Sequence, residues 1–248
     1  MAGKMRIDQM LTERGLAPSR ARAQALVMAG LVFAGDKRID KPGQQVAADA
    51  AVEVRGRDHP WVGRGGVKLA HALAHWQLDP TGAVAMDIGS STGGFTQVLL
   101  ENGAAHVFAV DVGTNQLDWK LRQDPRITVL EQTNARDLTA DIITQGCNWV
   151  VCDASFIGLA KVLAAPLALA LPGAQLVALI KPQFEVRREE VGKGGIVRDT
   201  ELHGRVCDEV SAWLAETGWQ VKGIIPSPIT GSEGNVEFLV SATKGIAA

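Results

Sequence analysis

The chain reads as an α/β protein, with a small N-terminal α/β head followed by a doubly wound, Rossmann-like parallel sheet. Three observations point there. Beyond residue 66, short apolar runs alternate with helical stretches, the pattern of right-handed βαβ units. A segment rich in glycine and containing Pro60, Gly56 to Gly66, interrupts the pattern. The charge also divides there: residues 1–57 hold ten Lys/Arg against six Asp/Glu, and residues 58–248 hold fifteen against twenty-one. The expected organisation is therefore a head at 1–57, a linker at 58–66 and a body at 67–248.

In the head, Arg6 to Arg14 reads as a short helix with Ile7, Met10 and Leu11 on one face, stopped by Gly15. Ser19 is a good N-cap for a second helix from Arg20 to Ala29, with Gly30 as its C-cap. Leu31 to Phe33 and Arg38-Ile39 form a hairpin around Ala34-Gly35-Asp36-Lys37, and Val52 to Val54 is a further strand. In the body, buried strands are expected at Val84–Ile88, His106–Val110, Ile127–Leu130, Trp149–Cys152 and Leu176–Ile180. Helices are expected at Phe95–Glu101, Leu159–Leu171 and Glu201–Thr217. Gln220–Ile225 and Val236–Ser241 have no helix between them and suggest an antiparallel hairpin at the sheet edge.

Composition narrows the class. With 46% hydrophobic residues, 21% charged and a net charge of −2, the chain is globular and not histone-like. Cys147, Cys152 and Cys207 are odd in number and lack C-x-x-C spacing, which fits a reducing, cytoplasmic setting and no zinc site. The first residues carry no apolar signal core. Val162–Ile180 is uncharged, but Pro166 and Pro172-Gly173 break it into a helix and a strand. His71 and His75 lack an H-E-x-x-H glutamate, so no metal is expected; Trp213 and Trp219 read as packing residues.

The chemistry begins at Asp87-Ile88-Gly89-Ser90-Ser91-Thr92-Gly93-Gly94-Phe95-Thr96, which leaves a strand and opens a helix. Glycines there let backbone approach a ligand closely. Asp111 ends the next strand, where an acid accepts hydrogen bonds from ribose hydroxyls. Together they point to nucleoside binding. The spacing is neither the dehydrogenase G-x-G-x-x-G nor a P-loop.

D-x-G-x-x-x-G-G-F resembles the first motif of S-adenosylmethionine-dependent methyltransferases, and the closing hairpin is similar to that family's seven-stranded sheet. The resemblance implies S-adenosyl-L-methionine held by Asp87, Gly89, Ser91, Gly93, Gly94, Phe95, Thr96 and Asp111, a set that Asn134 joins. Four charges stand near strand ends: Lys68, Asp153, Lys181 and, in the final strand, Glu237. With Gly63-Arg64-Gly65-Gly66-Val67-Lys68-Leu69, Asp153-Ala154-Ser155-Phe156-Ile157 and Lys181-Pro182-Gln183-Phe184-Glu185, they resemble the tetrad of FtsJ-like ribose 2′-O-methyltransferases. That resemblance implies Lys181 as base toward a ribose hydroxyl, with Asp153 and Glu237 aligning lysines and hydroxyl.

Arg6-Ile7-Asp8-x-x-Leu11, Ser19-Arg20 and Gly30-Leu31-Val32-Phe33-Ala34-Gly35 resemble an S4 RNA-binding domain. An S4 head on an FtsJ-like body is similar to the TlyA (haemolysin A) family of ribosomal RNA cytidine 2′-O-methyltransferases, and the likeness covers essentially the whole chain. Two departures stand out: Gly63 replaces the family's usual Ser, and the commoner Asn before Gly35 is missing. The partner implied is ribosomal RNA or a ribosomal subunit. Arg20, Arg22, Lys37 and Arg38 are the candidate phosphate contacts, with Arg64 from the linker; Arg6 either joins them or pairs with Asp8. The rival readings are a membrane-active haemolysin-type protein and a ribosome-binding module without catalysis.

Overall fold

The computed structural model describes residues 3–17, 19–55, 59–231 and 234–246. Arg57 and Asp58, where the head was expected to end and the linker to begin, lie outside them. The chain divides into two compact units, Met1–Pro60 and Trp61–Ala248.

The first unit runs β1 (Lys4–Arg6), α1 (Ile7–Glu13), α2 (Arg20–Met28), β2 (Val32–Ala34), β3 (Lys37–Arg38), β4 (Gln45–Ala47) and β5 (Val52–Val54). Ile7, Met10 and Leu11 of α1 are buried against Ala23, Leu26 and Val27 of α2. The Ser19 hydroxyl accepts from Arg22 N at 3.2 Å and caps α2. β2 pairs antiparallel with both β3 and β5. The sequence reading lacks β1 and β4, which pair with each other.

The second unit runs α3 (Gly65–Trp76), β6 (Val84–Ile88), α4 (Gly94–Glu101), β7 (His106–Val110), α5 (Trp119–Arg122), β8 (Ile127–Leu130), β9 (Cys147–Cys152), α6 (Leu159–Leu169), β10 (Ala170–Ile180), α7 (Pro182–Glu185), α8 (Thr200–Glu216), β11 (Trp219–Pro226) and β12 (Phe238–Lys244). Gly65 and Gly66, expected in the linker, already belong to α3. Seven strands form one sheet in the order β11-β12-β10-β9-β6-β7-β8. The central strands are parallel; β12 runs antiparallel to β10 and β11. Alternate residues of each strand face opposite layers. Leu176, Ala178 and Ile180 pack with α6 and α8, whereas Val177 and Leu179 pack with α3 and α4. Burying one such Leu or Ile side chain is worth about 1.5–3 kcal/mol, and the two layers together hold the sheet between helices.

Two details differ from expectation. Pro172-Gly173 does not separate helix from strand, because α6 ends at Leu169 and the pair lies inside β10. The pairing of β10 with β9 shifts register between Ala170 and Gln175, and a proline is tolerated where the ladder is interrupted. Lys244 Nζ donates to the carbonyls of Leu167, Ala168 and Ala170, satisfying the end of α6. Glu237 precedes the final strand instead of lying within it, because β12 begins at Phe238. Among the described residues, no helix is long and apolar enough to cross a membrane.

Candidate active site

In a doubly wound sheet, ligands gather beyond the carboxyl ends of the parallel strands. β6 ends there in the glycine loop. Gly89 has φ +78°, and a Cβ on it would lie 2.8 Å from Ala154 Cα, so the loop packs directly on the end of β9. Gly63 is comparable: a Cβ there would collide with Thr92 Oγ1. A serine at that position needs Thr92 to turn away, which gives the departure at Gly63 a local reason.

Two hollows open beside this loop. One, of about 510 Å³, is lined by Gly89, Ser91, Gly94 and Phe95 together with all four tetrad residues. The other, of about 480 Å³, is lined by Gly89, Ser91, Asp111 and Asn134, with Ser155 and Phe156 on the wall between them. Asp111 accepts from Ser91 N at 2.8 Å and Gly113 N at 2.7 Å, which aims its carboxylate at the second hollow. Asn134 caps the turn Ala135–Asp137 through its carbonyl oxygen. Glu131 shapes the loop after β7: despite burial, backbone N–H groups of Asn115, Leu117 and Gln116, with Arg122, hold its carboxyl at about 2.

Not every expected cofactor residue reaches a hollow. Asp87 and Thr96 line neither; Asp87 is wholly buried beneath the loop and accepts from Thr96 Oγ1 at 2.6 Å. Its other oxygen has no hydrogen-bond partner, and burial pushes the carboxyl up to about 7. Gly93 also faces away, toward Leu117 and Leu121. These three support the loop from below.

The four charges, scattered along the sequence, meet. Lys181 Nζ lies 2.7 Å from Asp153 Oδ1 and donates its better-aligned hydrogen bonds to Ser155 Oγ (2.9 Å) and the Asp153 carbonyl (3.2 Å). Lys68 Nζ donates to Glu237 Oε2 at 2.7 Å and lies 3.5 Å from Asp153 Oδ2. The result is an alternating row, Lys181–Asp153–Lys68–Glu237, in which Lys68, Lys181 and Glu237 are each less than a tenth exposed. Strand register brings the last acid to this end of the sheet. Ile180 pairs with Phe238, so Glu237 is brought beside Lys181 at the same sheet edge, although one follows a strand and the other precedes one. Sequence reading missed Ser155, Gln183, Phe184 and Asn235, which also line the first hollow. Ser155, Gln183 and Phe184 stood inside the quoted motifs; Asn235 carried no local signal.

The comparisons agree with this geometry. Residues 61–244 match the FtsJ-like methyltransferase family, and residues 5–52 match the S4 domain. The chain belongs to the FtsJ-like methyltransferase family. A 16S/23S rRNA (cytidine-2′-O)-methyltransferase, TlyA of Mycobacterium tuberculosis, is 45% identical over 97% of this chain and 90% of its own length. A solved structure from Streptococcus thermophilus, named as a hemolysin, is 44% identical, covers 99% of this chain and 90% of that chain, and has a TM-score of 0.78. Fibrillarin from Aeropyrum pernix, solved with S-adenosyl-L-methionine, is 15% identical over 71% of this chain and 74% of its own. With a TM-score of 0.50 it shares the FtsJ-like fold alone.

In the first unit, the expected phosphate contacts divide. Asp8 is wholly buried and accepts from Arg6 (3.0 and 2.9 Å), Arg20 (3.0 Å) and Gln24 (2.9 Å). Arg6 and Arg20 are thus tied to the scaffold while remaining partly exposed. Arg38 pairs with Asp40 at 2.7 Å, and Lys37 is exposed at the start of β3. Arg64 stands in the second unit, before α3, and lines the first hollow. Among the described residues, no cluster is suited to a metal ion.

Proposed function

We propose that this chain uses S-adenosyl-L-methionine to methylate the 2′-hydroxyl of a cytidine ribose in ribosomal RNA, with the S4 head supplying affinity for RNA phosphates. The observation that carries the reading is the alternating charge row beside the glycine loop. The residues present fit the cofactor: Gly89 and Ser91 line both hollows, so one ligand can span them, while Asp111 and Asn134 offer a carboxylate and an amide to a nucleoside. When bound, that cofactor supplies a methyl group made electrophilic by its sulfonium.

The chain's own residues act on the other reactant. A ribose hydroxyl is a weak nucleophile until its proton is loosened. Lys181, as the amine, accepts that proton; Asp153 holds Lys181, and Lys68 holds Asp153 and Glu237 in place. Alignment of this kind supplies up to roughly 7–11 kcal/mol of barrier lowering in well-oriented systems. Arg64, at the rim of the first hollow, is placed to meet a phosphate beside the target ribose.

The reading is tested in two steps. Calorimetry of the purified protein should give binding of S-adenosyl-L-methionine or S-adenosylhomocysteine with no preference for NAD; tighter NAD binding sinks the cofactor. Mapping of 2′-O-methyl groups in rRNA from cells with and without the gene should reveal a cytidine that loses its methyl. An unchanged map sinks the substrate.

A further inference from the structure

The row of four charges leaves one step unexplained, namely how a buried ammonium becomes the amine that the base role requires. We infer that Ser155 is the proton exit for Lys181 and steadies it in both protonation states; the inference rests on the base role proposed above. Lys181 is 7% exposed, and its nitrogen is surrounded by three oxygens. These are the Asp153 carboxylate, the Asp153 carbonyl and the Ser155 hydroxyl. An ammonium has three N–H groups; two donate to the Ser155 hydroxyl and the Asp153 carbonyl, while the Asp153 carboxylate balances its charge at 2.7 Å without an aligned hydrogen bond. An amine has two N–H groups and a lone pair, and carboxylate and carbonyl oxygens carry only lone pairs to set against it. The hydroxyl alone among these partners turns from acceptor to donor when the nitrogen loses its proton.

Ser155 is also placed to pass that proton on. It is exposed on the wall between the two hollows, 2.9 Å from a nitrogen that is itself buried. It follows β9 directly after Asp153 and Ala154, and Phe156 beside it takes φ +66°, which turns the chain sharply there. In the relay, a Lys181 N–H proton moves to Ser155 Oγ while the hydroxyl's own proton passes to solvent water. Lys181 is left neutral, Ser155 unchanged and one hydronium released. The freed hydroxyl then donates back to the amine until a ribose hydroxyl displaces it. After transfer Lys181 holds the ribose proton as an ammonium, and the relay resets it. Ser155 acts through Lys181 and is therefore a positioning residue.

The test uses the full chain with S-adenosyl-L-methionine and rRNA. Ser155→Ala should lower kcat by about 10- to 100-fold, the lower part of the range for general acid–base effects, with KM values and calorimetric cofactor affinity within about twofold. Its turnover should rise with imidazole concentration at fixed pH and ionic strength, because a small buffer replaces the missing hydroxyl, while the wild type stays flat. Ser155→Thr should restore most of kcat. A Ser155→Ala enzyme within twofold of wild type from pH 6 to 9 overturns the inference. So does a slow variant that ignores imidazole and is not rescued by threonine. Lys181→Ala run in parallel separates the levels. Full activity there removes the base role and the relay together; an inactive Lys181→Ala beside an unimpaired Ser155→Ala removes the relay only.

Discussion

Two carboxylates, Asp8 in the head and Asp153 in the body, each sit between two cations, yet the cations differ in kind. Asp8 is held by Arg6 and Arg20, and Asp153 by Lys68 and Lys181. A guanidinium keeps its proton at any ordinary pH and offers a rigid fork of donors, so the Asp8 cluster is a fixed joint between the start of α1 and α2. An ammonium is a compact point charge that gives up its proton when its surroundings favour the amine. On the function proposed above, the same electrostatic pattern is scaffold where arginine builds it and machinery where lysine does.

The sharpest way to break that comparison is to exchange the cations. Lys181→Arg keeps the charge but removes the removable proton, and it should lose as much turnover as Lys181→Ala. Both should fall by at least ~100-fold in kcat, about 2.7 kcal/mol, while cofactor affinity by calorimetry stays nearly intact. A Lys181→Arg variant retaining a tenth of wild-type kcat would contradict the distinction.

A smaller effect is expected in the head. Asp8→Ala leaves Arg6, Arg20 and Gln24 without their shared acceptor and should destabilise that unit by about 1–3 kcal/mol. The estimate is kept low because both arginines are partly exposed to water. Hydrogen exchange of the α1 and α2 amides should quicken, while those of β6, β9 and β10 should not. By contrast, Arg6→Lys should cost less, because charge remains and only the fork is lost.

The buried acids also titrate in opposite senses. The Arg6 guanidinium holds the Asp8 carboxyl well below the usual carboxylate range, so its contribution is present above about pH 4 and is lost as pH falls further. Burial raises Asp87 from 3.8 to about 7, so the native state keeps a proton that the unfolded state releases. Its contribution is complete below about pH 4 and is lost as pH rises toward 7, at no more than about 1.4 kcal/mol per pH unit. Unfolding of the body followed over pH 4 to 7 should show this decline in the wild type and a flatter profile in Asp87→Asn. Identical profiles would mean that the carboxyl finds a partner when charged.

The smallest expected change concerns RNA. Arg20→Ala disturbs the Asp8 joint as well as any phosphate contact, so it is a poor probe of either. Lys37→Ala removes an exposed charge and should flatten the salt dependence of rRNA binding by about one unit of log–log slope if it meets a phosphate. Lys181→Ala should leave that slope unchanged.

How much was legible in the sequence follows from where the signal is stored. The parallel strands announce themselves because both faces are buried, as in Val84–Ile88 and Leu176–Ile180, and the glycine loop because backbone contact excludes side chains. β1 and β4 are three residues each and partly exposed, too short for any period to register. Pro172-Gly173 misled because a bulge inside β10 absorbs a pair that ordinarily ends an element. In the site, the four charges were legible through their flanking motifs, whereas Asp87 was assigned to the ligand and lies under the floor. Its side-chain direction depends on which face of β6 it takes, and a fully buried strand has no alternation to reveal that. Asn235 is silent in sequence because its role is tertiary: it accepts from Val197 N at 3.0 Å and donates to Gly195 O at 2.9 Å, fixing a loop about 40 residues away.

The pairing of Lys68 with Glu237 spans 169 residues and has a consequence in time. A ribosome delivers the amino end first, so Lys68 emerges long before the acid that will neutralise it, and β12 must insert between β10 and β11 to bring that acid in. Until then the growing chain holds an incomplete row of charges and an unfilled slot in its sheet. A protein proposed to modify ribosomal RNA thus emerges beside abundant substrate in a form that lacks one member of its charge row, and the row is complete only once β12 has joined the sheet.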